Sequence, residues 1–540
     1  MKNNFNIFKV ATLFFASFLL SNAYSQQKTK PNILFIGIDD LKPILGCYGN
    51  TQIKTPNIDR LAKMGTVFMS NYCQQAVCGP TRASLMTGKR PDYTKVWDLK
   101  TKMRDMNPDI LTLPQYFISQ GYTTSGVGKI FHPSCVDKKV DPQSWSVPFF
   151  FAKDSDYANG APVQKHYQSP ELKALQATAD AAPKEDKENK KSKKEDLDED
   201  GGSSRGPAFE CLNLPDNAYE DGVIALIAEK QIIKLSKDKK PFFMAVGFHK
   251  PHLPFVSPKK YWDLYNRNDM PVAEFQEHAL NSKIFSYQYP GELTNYSGVK
   301  EFAKFDKNDN NEFKLAIDKQ KELVHAYYAA VSYTDAQVGI LLNTLEKLGS
   351  LNNTIIVLWG DHGWHLGDHD MWGKHTNYEQ ATKAPLIIAA PGLKPGQSKS
   401  MTEFVDVFPT LCELSGGKIP ANLEGKSLVP VMKNNKVSVK EYAMSQYPRK
   451  MPKADIKKED GKGKLMGYSM RTSQYRYTVW LKNFTSDQPY SADKVYTLEL
   501  YDYTKDPLEK VNVAYEKNYA SVAADLDKKM VDYFNSKVSK

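Results

Sequence analysis

Cysteine is scarce: Cys47, Cys73, Cys78, Cys135, Cys211 and Cys412 are the only six in 540 residues. That density excludes a small disulfide-built scaffold. Long apolar runs are scarce too. The one near the N-terminus, Val10 to Leu20, is too short to span a bilayer comfortably, and no later segment reads as transmembrane. No internal repeat is present, so a solenoid or propeller is excluded. A recognised nucleic-acid-binding motif is also missing. The net charge of +10 therefore reads either as solubility or as a fit to a polyanionic substrate.

Lys2 and Lys9 flank the start of that short apolar run, and Ala23-Tyr24-Ser25 follows it as a cleavage site before Gln26. This is the pattern of a signal peptide over residues 1–25. With no cysteine directly after the run, a lipid anchor is not expected. The reading is an exported protein, periplasmic or secreted, of a bacterium. The remaining length suits one large core, residues 26–430, and a smaller α+β subdomain, residues 431–540. A charged stretch poor in apolar residues, about 184–205, reads as a disordered surface insert in the larger unit.

Four apolar runs end in polar clusters. Ile33–Ile38 is followed by Asp39-Asp40, and Tyr122–Val127 by Lys129 and His132. Phe242–Phe248 leads to His249, Lys250 and His252, and Ile355–Trp359 to Asp361-His362. Near-continuous apolar runs suit parallel strands buried on both faces. Ligands of open α/β sheets gather at the carboxyl ends of such strands, so the four clusters are expected to meet at one sheet edge. Glu322 to Leu348 carries apolar residues at helical spacing. After Pro430, runs such as Tyr475–Trp480 and Tyr496–Leu500 predict a small antiparallel sheet, closed by a helix near Ala520–Phe534.

Asp39, Asp40 and Asp361 are hard oxygen donors. With His362 they predict a site for one divalent cation, and the excess of carboxylate favours Ca²⁺ over Zn²⁺. Trp364, His365, Trp372 and Lys374 directly follow that site in sequence. They are expected beside a substrate, aromatic faces on its C–H surfaces and the cation on an anionic group.

The run Cys78-Gly79-Pro80-Thr81-Arg82, followed by Thr87-Gly88, resembles the Cys-x-Pro-x-Arg…Thr-Gly signature of the type I sulfatases. Pro80 and Thr81 suit a helix start and Gly88 its end. Gly128-Lys129-Ile130-Phe131-His132-Pro133, Gly247 to Phe255, Asp361 to Gly367, Ser469 to Thr472 and Tyr475 to Trp480 are similar to the iduronate-2-sulfatase branch and its bacterial polysaccharide-degrading relatives. Gly79 and Thr81 depart from the commoner signature residues. His362 stands where most of the family has Asn or Gln, and His365 differs from the animal enzymes.

The resemblance implies an alkaline-phosphatase-like α/β sandwich with a large mixed, mostly parallel sheet and a smaller C-terminal antiparallel sheet. It implies that a maturation enzyme converts Cys78 to formylglycine. The aldehyde hydrate then attacks the sulfur of a sulfate ester on an oligosaccharide, with Cys78 also facing the metal. Arg82 would hold the formylglycine, and Lys129 and Lys374 the sulfate oxygens. His132 would act on the hydrate, and His252 would protonate the leaving sugar oxygen. The substrate expected is a 2-O-sulfated uronic acid or an algal glycan such as ulvan. Two other readings stay open here: a phosphonate or phosphate monoester hydrolase of the same superfamily, and a non-catalytic glycan binder with an unconverted Cys78.

Overall fold

The computed structural model describes residues 30–181, 205–238, 240–306, 312–456, 463–483 and 490–538. The segment read as a signal peptide and, apart from Arg205, the charged stretch lie outside the described residues.

Seven strands form the main sheet: β1 (Asn32–Ile38), β2 (Thr66–Tyr72), β3 (Thr123–Gly128), β4 (Phe242–Phe248), β5 (Thr354–Gly360), β6 (Leu386–Ala389) and β7 (Gly396–Glu403). Their order is β7-β2-β6-β5-β1-β4-β3. Only β6 runs against the rest, pairing antiparallel with both β5 and β2. The sheet is thus mixed and mostly parallel, and all four apolar runs are strands within it. Three of them, β5-β1-β4, lie side by side in parallel register, with Ile38 opposite both Gly360 and Phe248.

Alternation along β1 builds two cores, because successive strand side chains point to opposite faces. Leu34, Ile36 and Ile38 join the core under α2 (Glu220–Leu235) and α3 (Ile317–Lys347). Ile33 and Phe35 join the opposite core, which includes Leu85 and Met86 of α1 (Cys78–Thr87). The helix α3 starts five residues before the sequence pattern places it, since Ile317 is followed by the polar run Asp318–Glu322, which breaks the apolar period.

A second sheet is an antiparallel meander of β8 (Tyr442–Lys450), β9 (Lys464–Thr472), β10 (Tyr475–Lys482) and β11 (Val495–Asp502). The last helix, α4 (Ala520–Val538), packs Leu526, Met530 and Phe534 against Tyr468 and Val479 of this sheet. Buried ion pairs fasten the second sheet to the first. Arg476 reaches Glu379 and Glu509, each at 2.6 Å, and Arg471 reaches Glu379 at 3.0 Å. Glu403, at the end of β7, takes Arg90 at 2.7 Å and Lys440 at 2.6 Å.

Candidate active site

The carboxyl ends of β1, β3, β4 and β5 converge as the sequence pattern requires. Asp39 N–H continues the ladder to the Phe248 carbonyl at 3.1 Å. Asp40 leaves it with φ 56°, a left-handed conformation that Asp tolerates better than most residues. Its N–H donates to Asp361 Oδ1 at 3.0 Å, and the Tyr327 hydroxyl donates to its carbonyl at 2.7 Å. At Gly247 a Cβ would stand 2.1 Å from the Lys129 carbonyl oxygen. Only glycine lets the ends of β3 and β4 close so far, and that closure sets Lys129 beside Asp39.

Cys78 is the first residue of α1, whose ten residues are all buried. Its Sγ lies 3.4 Å from His362 Nε2 and 3.9 Å from Asp40 Oδ1. Gly79 has a steric reason for departing from the signature: a Cβ there would meet Cys135 Sγ at 2.6 Å. The helix ends at Gly88 with φ 64°, as the sequence predicts.

One turn into α1, Arg82 has no solvent exposure. Its Nε donates to Asp361 Oδ2 at 3.0 Å and its Nη2 to Asp39 Oδ1 at 2.9 Å. Its Nη1 donates to the carbonyls of Lys129 and Ile130, and the guanidinium lies 5.1 Å from the Trp359 ring centroid. This side chain is committed to the carboxylates and the β3 turn, so it positions the site from beneath. Lys129 Nζ reaches Asp39 Oδ2 at 2.5 Å, and Lys374 Nζ spans both oxygens of Asp40 at 3.0 Å.

The electrostatics divide these groups. Burial pushes the Asp39 carboxyl up, but Lys129 and Arg82 outweigh it and hold the group well below the usual range. Burial raises Asp40 well above that range; Lys374 opposes the rise, while Asp39, Glu292 and Asp361 add to it. Asp361 is pushed up to about 7 by burial and by Asp39, against the pull of Arg82. Burial and Asp39 also raise the Cys78 thiol well above its ordinary value. A thiol in this setting is not poised as a thiolate nucleophile.

The histidines are held neutral. Burial and Lys129 lower His132 to about 3, while burial and Lys374 lower His252 and His362. His362 Nδ1 lies 3.0 Å from the Gly363 carbonyl and His252 Nδ1 2.7 Å from the Leu253 carbonyl. A carbonyl only accepts, so each Nδ1 carries the proton and each Nε2 lone pair faces the pocket. Nε2 of His252 stands 3.4 Å from Glu292 Oε1 and 3.9 Å from Asp40 Oδ2. His132 Nδ1 accepts from the Ser134 N–H at 3.4 Å.

The donor set fits a divalent cation. Ligand atoms of Asp39, Asp40, Cys78 and His252 lie within 4.8 Å of one another, and so do those of Cys78, Asp361 and His362. Mutual repulsion among the buried carboxylates is the strain that a cation between them would relieve.

Trp364, His365 and Trp372 correct the sequence expectation. Their exposures are 1 %, 0 % and 2 %, so none presents a face to a sugar in this structure. Both tryptophans belong to the core under α3, Trp364 meeting Phe255 edge-on at 6.4 Å. His365 Nε2 is taken up by Thr376 Oγ1 at 3.0 Å. The order of residues along the chain puts them at the right sheet edge, but does not say which side of the loop they face. Trp364 still touches the site through Lys374, whose Nζ lies 5.0 Å from its ring centroid.

The same loop is pinned by Asp368, which accepts from Lys42 Nζ at 2.8 Å and the Leu366 N–H at 3.1 Å. Burial raises the Asp368 carboxyl, but Lys42 and His365 bring it down to about 2. The folded value lies below the unfolded one, so this stabilisation is complete above about pH 4 and is lost as pH falls through about 2. Asp368→Asn should therefore lower the urea midpoint at pH 6. Its gap from the unaltered protein should hold above about pH 4 and narrow as pH is taken from 4 towards 2, and a constant gap would count against the pair.

Sequence reasoning missed several supports. Glu292 comes from a single-turn helix, Gly291–Thr294, with no periodic signal, yet it lies 3.4 Å from Lys374 Nζ as well as from His252. Asp221 accepts the N–H groups of His249 and Lys250 at 2.8 Å each, fixing the β4 turn. From the second sheet, Arg449 donates to the carbonyl of His375, next to Lys374.

Such a site, a buried carboxylate cluster with fixed cations around a side chain at a helix N-terminus, is that of a hydrolase acting on tetrahedral oxyanion esters. The sulfatase family pattern matches residues 31–417, and a pattern described as N-sulphoglucosamine sulphohydrolase, C-terminal, matches residues 367–536. Human iduronate 2-sulfatase is 33% identical over 89% of this chain and 90% of its own length. Two solved structures share the fold. One is a complex with D-glucosamine-2-N,6-O-disulfate (TM-score 0.65, 20% identity, 95% and 98% of the two chains). The other is the phosphonate monoester hydrolase of Agrobacterium radiobacter (TM-score 0.64, 22% identity, 94% and 96%). The chain belongs to the sulfatase family and is a hydrolase with its alkaline-phosphatase-like fold.

Proposed function

We propose that the protein removes sulfate from sulfated carbohydrate, using Cys78 after its conversion to formylglycine by a maturation enzyme. The observation that carries this is the setting of Cys78. It opens a buried helix against Asp40 and His362, in surroundings that disfavour its own thiolate. Formylglycine supplies, as its hydrate, one hydroxyl to attack and a second whose deprotonation frees the product without water attacking sulfur. Asp39, Asp40, Asp361 and His362 would hold one cation, Ca²⁺ by its oxygen-rich donors, whose chemistry is to polarise a sulfate oxygen.

The chain's own residues do the rest. Lys129, Lys374 and the N-terminal end of α1 attract the sulfate oxygens. By the family resemblance His132, held neutral, would act as the base towards the hydrate, with Nδ1 giving up its bond from the Ser134 N–H to take the proton. His252 must first take up a proton at Nε2, where the Glu292 carboxylate beside it steadies the charged ring, before it can deliver that proton to the leaving oxygen. The carbohydrate reading draws on the human relative. The N-terminal pattern supports export to the periplasm or medium.

The test is sulfate release from a panel containing 2-O-sulfated uronic acids, ulvan oligosaccharides with sulfated rhamnose, an aryl sulfate, phosphate monoesters and phosphonate monoesters. Turnover confined to the sulfates is expected. Faster phosphonate turnover would transfer the protein to the phosphonate hydrolases, and no turnover by fully converted protein would leave a glycan binder. Chelation should abolish activity and lower the unfolding temperature, and Ca²⁺ should restore both ahead of Mg²⁺ or Zn²⁺. Restoration by Zn²⁺ alone would overturn the choice of ion.

A further inference from the structure

A groove of about 2420 Å³ lies between β7, the loop that follows residue 434, the β9–β10 turn and α4. None of the residues assigned to the catalytic pocket lines it. Single-ligand pockets are commonly about 300–1,000 Å³, so this space is sized for several sugar units.

The charge in the groove is uneven. Its acids are mostly consumed within the fold. Glu403 is taken by Arg90 and Lys440, Asp92 accepts from Tyr468 and Gln446, and Glu441 and Asp525 both face Lys529. Lys399, Lys426 and Lys436 are exposed, and among the described residues none of the three pairs with a carboxylate. The Lys426 ammonium donates to the Val439 carbonyl at 3.0 Å. Tyr93, in the same lining, is 45% exposed, with Lys89 Nζ 4.1 Å from its ring centroid. The groove therefore offers exposed ammonium groups and a half-exposed tyrosine ring. The first suits sulfate groups, the second a sugar ring. Here part of the +10 net charge, which the catalytic pocket does not use, is concentrated.

We propose that this groove is an accessory binding site for a sulfated polysaccharide chain, holding the polymer on the enzyme apart from the sugar being desulfated. The proposal rests on the carbohydrate reading of the active site, but its binding step does not need turnover.

The experiment measures binding of size-defined dextran sulfate to the full-length Cys78→Ala protein, with unsulfated dextran as the control polymer. Lys399→Ala/Lys426→Ala/Lys436→Ala should weaken binding about tenfold or more. Lys230→Ala/Lys234→Ala/Lys347→Ala removes the same charge from exposed positions on α2 and α3, and should leave affinity within about twofold. Tyr93→Ala should weaken binding on its own. In the converted, active enzyme the groove variant should raise KM for a sulfated polymer and leave kcat/KM for a small aryl sulfate unchanged. Equal losses in the two triple variants would reduce the effect to net charge and overturn the proposal, as would no loss in either. If the polymer binds in the groove while converted protein releases no sulfate, the catalytic reading falls and the groove stands.

Discussion

Cys78→Ala is expected to lower sulfate release by roughly 10⁴-fold or more, the scale of losing a nucleophile. The fold should survive. The substitution removes one sulfur atom from a side chain that is 3% exposed, which should cost about 1 kcal/mol of stability. Mass analysis of the peptide spanning Cys78 should show sulfur lost in active protein, and activity should scale with the converted fraction across preparations. Full turnover by protein that still carries the thiol would refute the assigned nucleophile. The electrostatics make the result pointed, because Asp39 and burial both oppose the thiolate that an unconverted enzyme would need.

Arg82→Met should be the most damaging single change to stability near the site. It leaves Asp39 and Asp361 buried without their guanidinium partner, and breaking such a pair costs about 3–5 kcal/mol. Activity should disappear with it, since both carboxylates and the β3 turn lose their common anchor. Arg82→Lys should not restore either property, because one ammonium cannot serve two carboxylates and two carbonyls arranged around a planar fork. Denaturant unfolding of the three proteins checks this. A loss below about 1 kcal/mol in the methionine variant would mean that the carboxylates are neutralised by other means.

Much of the site is legible in the amino-acid sequence because it is built at strand ends. Strands buried on both faces leave long apolar runs, and the chain turns polar where each leaves the sheet. The pattern of residues alone therefore gathers Asp39, Lys129, His252 and Asp361. The edge strand β7 is not legible, because its residues, Gly-Gln-Ser-Lys-Ser-Met-Thr-Glu, include one large apolar side chain and its buried end is mostly polar. Glu292 escapes for a related reason: one helical turn has no period to detect. The aromatic residues fail differently. Position along the loop is right, but burial of Trp364 and Trp372 depends on the packing of Phe255 and α3, which no local pattern encodes.

The ion pairs between the two sheets bear on how the chain can be divided. Glu379 lies five residues beyond Lys374, and the two arginines that neutralise it come from β9 and β10. The carbonyl of His375 is held by Arg449 of β8. A protein ending at residue 430 would keep Cys78, the carboxylates, His132 and His252, yet lose every one of these contacts. Glu379 would keep Lys383 but lose both arginines, Glu403 would lose Lys440, and the loop carrying Lys374 would lose its backing. The last hundred residues thus behave as the fixed jaw of a clamp, and the minimal working unit of this enzyme is nearly the whole chain.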